Sequence, residues 1–200
     1  MIFIDSIKKS PETLKRLYPN AEFIDVTSKS ASKWVKLSPF FPNNNIPVPN
    51  SPGVTATCVE AIWQGLKVFK YADIDVSLFA NDTVRNIKRT TRRFGIPIGH
   101  RYGVNSSEIL SYIDARKKIY IPTYFWVLKN KVFPLVEEIY QISQTKDIVL
   151  LDYDTNNDVE NPSKPLSHAS LIKRFIEESF DKKNQPLYKQ LSLFEDAETK

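Results

Sequence analysis

The chain has 200 residues, 42% of them hydrophobic, and a formal net charge of +5, which suits one globular domain with a sizeable core. One cysteine, Cys58, excludes an internal disulfide framework and fits a reducing cytosol. The two histidines, His100 and His168, stand far apart and argue against a zinc site, so no metal or other cofactor is expected.

The opening MIFIDSIKKS lacks the apolar run of a signal peptide and no stretch is long enough to span a bilayer. A cytoplasmic protein with no membrane contact is therefore expected. The positive charge favours polyanionic partners such as nucleic acid or nucleotide phosphates. Neither common phosphate-cradling loop, GxGxxG or GxxxxGK[ST], is present.

In chain order, residues 2–4 read as a short strand. Ser10-Pro11 gives a helix cap with proline in the first turn, and that helix stops near Tyr18 at Pro19-Asn20. A strand follows over 22–26 and a short one over 34–37. Residues 38–53, SPFFPNNNIPVPNSPG, hold five prolines and four asparagines and cannot form a regular helix or a central strand. They read as a surface loop or, with Phe40 and Phe41 inside, as a pocket wall.

Residues 55–69, TATCVEAIWQGLKVF, read as one helix capped by Thr55 or Thr57. At about 100° per residue, Glu60, Trp63, Gln64 and Lys67 share one face and Val59, Ile62, Leu66 and Phe69 the other. A second helix is expected over 81–95, ending at Gly95. On it Arg85, Lys88, Arg89, Arg92 and Arg93 form a stripe, either a solvated face or a track for DNA phosphates. Residues 95–103 are turn-rich. Ser106 or Ser107 caps a third helix to about Tyr120, broken by Pro122 and continued over 123–131, and a further helix covers 132–144. DIVLL at 147–151 is a strand, and Ser167 opens a last helix to about Phe180. The layout is α+β: one mostly helical domain with a small sheet over 1–180 and a polar, mobile tail over 181–200.

Glu60, Gln64 and Lys67 at i, i+4 and i+7 have the spacing of a salt-bridged surface face. Trp63 on the same face argues for cover, under which a lysine of lowered pKa is a competent amine nucleophile and a glutamate its acid/base partner. Asp152, Asp154, Asn156, Asn157, Asp158 and Glu160 follow directly on a strand, where carboxylates can contact a ligand. DxDxN resembles the start of a calcium loop, but Asn157 replaces the required glycine and Ser163 the last ligand. Tyr112, Arg116, Tyr120, Tyr124 and Trp126 supply core aromatics, one or two of which can stack on a base.

The order of these features resembles the NADAR family of YbiA-like N-glycosidases. Ser38-Pro39-Phe40 leads to Glu60, Gln64 and Lys67 at the family's spacing. Tyr112 and Arg116 stand where the family has an aromatic and, four residues later, a basic residue. Leu150-Leu151 and Asp154-Thr155, with Glu160 beyond, match its strand and polar turn. The likeness spans roughly residues 38–168. It departs at Ala61, where the family has histidine, and at PLSHAS, which replaces a late Asp…Trp-Gly signature; that aspartate's role is either taken by Asp158 or His168 or lost. The resemblance implies a NADAR-like fold and hydrolysis of an N-glycosidic bond to ribose. Family members remove ADP-ribose from guanine in DNA, reversing DarT-type toxins, or cleave ribosylated intermediates of riboflavin synthesis.

On that reading Glu60 and Lys67 are catalytic. Ser38, Phe40, Trp63, Gln64, Tyr112, Arg116, Asp154 and Asp158 bind substrate, and the basic stripe binds ADP-ribosylated DNA. The protein would be an antitoxin or a phage counter-defence hydrolase. In the tail, QLSLF looks like a peptide that docks on the bacterial sliding clamp, with Gln190, Leu191, Leu193 and Phe194 filling its cleft. The alternatives are a glycosidase for a small ribosylated nucleotide and a non-catalytic protein that binds DNA or the clamp.

Overall fold

The computed structural model describes residues 1–83 and 85–180. Gln190, Leu191, Leu193 and Phe194 of the clamp-like tail lie outside them. The elements, in chain order, begin with β1 (Ile2–Ser6), α1 (Pro11–Leu17), β2 (Glu22–Asp25), β3 (Ile46–Pro47), β4 (Thr55–Ala56), α2 (Val59–Gly65) and β5 (Lys67–Phe69). They continue with α3 (Thr91–Phe94), β6 (Pro97–Arg101), β7 (Ile109–Leu110), α4 (Tyr112–Ala115), α5 (Ile121–Asn130), α6 (Phe133–Thr145), β8 (Ile148–Asp152) and α7 (His168–Phe180). The fold is α+β, with helices and small sheets. Among the described residues no helix is long and apolar enough to cross a membrane. The chain forms two compact units, one of residues 1–38 with 128–180 and one of Pro39–Val127.

In the first unit β8 is the middle strand of a parallel sheet ordered β1-β8-β2. All its residues are buried, which is why the run IVLL is continuously apolar rather than alternating. Ser10 Oγ accepts the Thr13 N–H at 3.3 Å and Pro11 sits in the first turn of α1. Leu14 then packs with Val149 and Leu151 beneath Phe3, Tyr18 and Phe23. α7 turns Leu171, Ile172, Phe175 and Ile176 inward. Phe180 at its end stacks on Tyr140 of α6, ring centroids 4.2 Å apart.

Two sequence expectations in this unit are corrected or localised. The strand expected over 34–37 is a 3-10 turn, Lys33–Leu37, because Ser32 caps it and Ser38 closes it through its N–H to the Val35 carbonyl at 3.0 Å. Asp154 and Asp158 lie in the loop after β8. There Asp158 is exposed and its carboxylate accepts the Glu160 N–H at 2.9 Å, serving its own turn.

The polar end of β8 is tied to α7. Buried Asp152 accepts hydrogen bonds from Ser167 Oγ at 2.8 Å, the Ala169 N–H at 3.3 Å and the Tyr153 N–H at 2.7 Å. Its Oδ2 also lies 3.0 Å from His168 Nδ1, while His168 Nε2 meets the Val26 carbonyl at 2.8 Å.

In the second unit the helix expected over 55–69 contracts to α2, flanked by strands β4 and β5. Its cap is Cys58, whose Sγ accepts the Ala61 N–H at 3.3 Å, rather than Thr55 or Thr57. It ends at Gly65, where a Cβ would meet the Phe79 ring at 2.4 Å and the Asp75 carbonyl oxygen at 3.0 Å. β5 then pairs with β6, and β6 with β7, in an antiparallel sheet. The segment read as turn-rich therefore contains a strand.

The helix expected over 81–95 reduces to α3, so Arg85, Lys88, Arg89, Arg92 and Arg93 do not share one helix face. Asn81 folds back on this segment through the Thr83 N–H at 3.0 Å and the Arg85 carbonyl at 2.8 Å, and Asn86 has a φ of 57°. Gly95, at φ 83°, ends α3 where the sequence predicts a stop. The third helix opens at Ser111 rather than Ser106 or Ser107, since Ile109–Leu110 pairs with β6. A π-helical turn, Arg116–Tyr120, precedes Pro122, which has no N–H to donate and is tolerated in the first turn of α5.

Asp152 gives a pH-dependent stability. Burial raises its pKa, but the His168, Ser167 and Tyr153 contacts outweigh burial and hold it below 3.8. A depressed carboxyl pKa stabilises the fold above the unfolded value and loses that contribution as pH falls through the folded one. Thermal melts between pH 2 and 7 should therefore show stability falling below about pH 4. Asp152→Asn should lose about 2–3 kcal/mol at neutral pH and show a shallower acid limb.

Candidate active site

The loop 38–53 reaches α2 through the Pro39 carbonyl, which accepts the Glu60 N–H at 3.0 Å. The first turn of α2 thus places Glu60 inside, only 7% exposed, and Gln64 one turn later, also buried. Gln64 Nε2 donates to Glu60 Oε1 at 2.6 Å. Lys67 arrives on β5, and its Nζ donates to Gln64 Oε1 at 2.9 Å. The backbone N–H of Arg89 donates to the same oxygen at 3.0 Å. One amide therefore stands between a carboxyl and an amine and touches both.

Burial sets the electrostatics. It raises the Glu60 pKa, against the Gln64 hydrogen bond and the charges of Lys67 and Lys88. It lowers the Lys67 pKa, against Glu60 and with the help of Lys88 and Arg89. Both shifts favour the uncharged forms, an acid that can give a proton and an amine that can attack.

Trp63, on the same helix, carries an aromatic cluster. Tyr112 and Tyr120 meet it edge-on at 5.8 and 5.4 Å between centroids, and His100 stacks on it at 3.8 Å. Arg116 is buried; its guanidinium lies 4.4 Å from the Tyr112 ring centroid and donates to Tyr112 Oη at 3.0 Å. Phe40 lies under Lys88 Nζ at 5.2 Å. Glu60, Trp63, Gln64, Lys67, Phe40, Tyr112 and Arg116 thus belong to one unit and are linked through α2 and its neighbours, whereas Ser38, Asp154 and Asp158 belong to the other unit.

With this geometry in hand, a family model described as "Family of unknown function (DUF6939)" matches residues 6–172. The chain belongs to that family. No curated protein and no solved structure matches it. The DUF6939 match takes in every candidate residue apart from those of the tail.

Two residues of this DUF6939 chain carry parts that sequence spacing did not assign. Arg89, expected on the DNA-facing stripe, is buried instead. Its guanidinium donates to the Lys67 and Asp73 carbonyls at 2.6 Å each and sits between the Phe69 and Phe94 rings at 4.7 and 4.9 Å. Arg85, Lys88, Arg92 and Arg93 stay exposed. His100 is 1% exposed and lies directly opposite Lys67 across β5 and β6. Burial, aided by Lys67, lowers its pKa to about 3 and keeps the ring neutral. The Trp63 carbonyl opposes that shift but lies outside hydrogen-bond geometry, and neither ring nitrogen has a hydrogen-bond partner among the described residues. Two such orphans cost roughly 1–3 kcal/mol each.

The inward position of Arg89 makes a sharp distinction among the arginines. Arg89→Ala should lower stability by about 2 kcal/mol or more, since it strips partners from two carbonyls and empties the space between two rings. Arg85→Ala, Arg92→Ala and Arg93→Ala should each stay within about 0.5 kcal/mol. Chemical denaturation of the four variants checks this.

Proposed function

We propose that this protein is a NADAR-type N-glycosidase that removes ADP-ribose from guanine bases of DNA, acting in the cytoplasm as an antitoxin or phage counter-defence hydrolase against DarT-type modification. The observation that carries the reading is the Gln64 amide held between a buried Glu60 and a half-buried Lys67. The resemblance at Ser38-Pro39-Phe40, Glu60, Gln64, Lys67, Tyr112 and Arg116 gives it a substrate class.

The chemistry follows from two groups that burial pushes toward their neutral forms. A ribose joined to an exocyclic base amine opens its ring to an imine. The Lys67 amine adds to that carbon and forms a C–N bond. Glu60 gives its proton to the departing base amine as the original C–N bond breaks. Water then adds to the Lys67 imine with Glu60 as base, the lysine leaves, and the freed sugar closes to its hemiacetal. Trp63 and Tyr112 offer surfaces for the base. On the DNA reading Arg85, Lys88, Arg92 and Arg93 meet the phosphate backbone, while the sequence motif at 190–194 brings the enzyme to the sliding clamp. The second reading, a glycosidase for a small ribosylated nucleotide, is favoured by Arg89, whose inward side chain removes one member of the proposed DNA track.

Cyanoborohydride added during turnover of guanine-ADP-ribosylated DNA should trap the sugar on Lys67. Lys67→Ala should trap nothing and release no ADP-ribose, and Glu60→Gln should slow release about 10²–10⁴-fold. Normal turnover by both variants would sink the proposal. Because the active form carries a neutral Lys67 amine and a protonated Glu60, the rate should be bell-shaped in pH, the Glu60 limb lying above 4.5 and the Lys67 limb below 10.5. An Arg85, Arg92 and Arg93 triple alanine variant should lose activity on DNA but keep it on a free ribosylated nucleotide. Equal effects on both would favour the small-substrate reading.

A further inference from the structure

His100 lies outside the chemistry assigned above, yet its setting is that of a ligand contact. It is fixed twice. Its ring stacks on Trp63 at 3.8 Å with 29° between planes, and its backbone is registered opposite Lys67 on β5 and opposite Leu110 on β7. Residues directly opposite on neighbouring strands project to the same face of the sheet, so the imidazole shares a face with the Lys67 amine. Both ring nitrogens are buried and neither has a hydrogen-bond partner among the described residues. A buried polar side chain serving only as filler would be better replaced by an apolar ring, which could stack on Trp63 without unmet hydrogen bonds.

We propose that His100 is the sugar-binding residue of this site, one nitrogen of its imidazole pairing with a hydroxyl of the ribose whose anomeric carbon Lys67 attacks. The inference rests on the glycosidase reading and names the part of the substrate that His100 recognises. The chemistry of the ring selects the partner. A neutral imidazole presents one N–H donor and one bare acceptor nitrogen. A hydroxyl both donates and accepts, so it pairs with whichever nitrogen faces it, while the two nitrogens diverge too widely for one vicinal diol to meet both. A phosphate offers acceptors alone and meets only the N–H. The position beside Lys67 selects the sugar, since the hydroxyl on the carbon next to the anomeric centre comes within reach once the amine meets that centre. Neither nitrogen is open to solvent, so the contact requires the groups over the ring to move.

The test uses ADP-ribose and ADP as probes, which differ by the terminal ribose, together with His100→Phe, which keeps a ring on Trp63 and removes both nitrogens, and His100→Gln, which keeps a donor and an acceptor. Affinities come from calorimetry on the full chain and thermal stability from melting. Wild type should bind ADP-ribose more tightly than ADP. His100→Phe should bind ADP-ribose at least about 30-fold more weakly, bind ADP within about threefold of wild type, and melt at the same or a higher temperature. His100→Gln should recover most of the lost ADP-ribose affinity. Unchanged ADP-ribose binding by His100→Phe overturns the proposal. So does a loss shared equally by ADP, or one that tracks a lower melting temperature in both variants. A wild type that fails to prefer ADP-ribose over ADP overturns the glycosidase reading and this inference with it, an outcome distinct from preference in wild type that survives in His100→Phe.

Discussion

The backbone N–H of Arg89, 3.0 Å from Gln64 Oε1, orients the whole polar cluster of the second unit. A backbone N–H only donates, so the atom it meets must be the amide oxygen, and the amide NH₂ must then face Glu60. Lys67 shares the oxygen. Glu60 consequently receives a donor on one oxygen and keeps the other for a proton. Lys67 is held by an uncharged acceptor, which does less than a carboxylate in the same place to keep the amine protonated. The direction of one amide thus sets that Glu60 meets a donor and Lys67 an acceptor.

The same bond explains why residues 81–95 are not a helix. In a helix the Arg89 N–H would be taken by the carbonyl of Arg85. Here that N–H goes to Gln64, and the Arg85 carbonyl is met by Asn81 Nδ2 instead. The guanidinium follows the backbone inward, to two carbonyls and two phenyl rings. A helical wheel sees five basic residues at suitable angles and nothing of the distant amide that recruits one of them.

Elements whose signals are local were legible. β8 is a short apolar run with charge at both ends, α1 carries its cap and proline, and α7 shows its inward face in the spacing of its apolar residues. α2 shows the limit of such reading. Glu60, Gln64 and Lys67 were picked out by helical spacing, and they do meet, but Lys67 does so from a strand. A helix ending at Gly65 and a strand beginning at Lys67 bring the amine back to Gln64 almost as an unbroken helix would. The period therefore picked out three residues that meet, through the wrong geometry. What it could not give is β5 pairing with β6, and with it His100. Strand partners distant in sequence are set by tertiary pairing, and His100 carries no local mark that separates it from any histidine near a turn.

The two histidines of the chain show how environment, and not residue type, assigns a part. Both are buried. In its own unit His168 has each ring nitrogen within hydrogen-bond distance of an oxygen, Asp152 on one side and the Val26 carbonyl on the other, so the ring ties β8, the end of β2 and α7 and needs nothing further. His100 has the stack on Trp63, and neither of its ring nitrogens has a hydrogen-bond partner among the described residues. Burial of both nitrogens without a partner opposes folding, and stacking, which an apolar ring would supply equally well, does not require the nitrogens at all. On the proposed reading, a group retained at a stability cost beside an amine of lowered pKa has its return outside the free protein, in a ligand that meets one of its nitrogens.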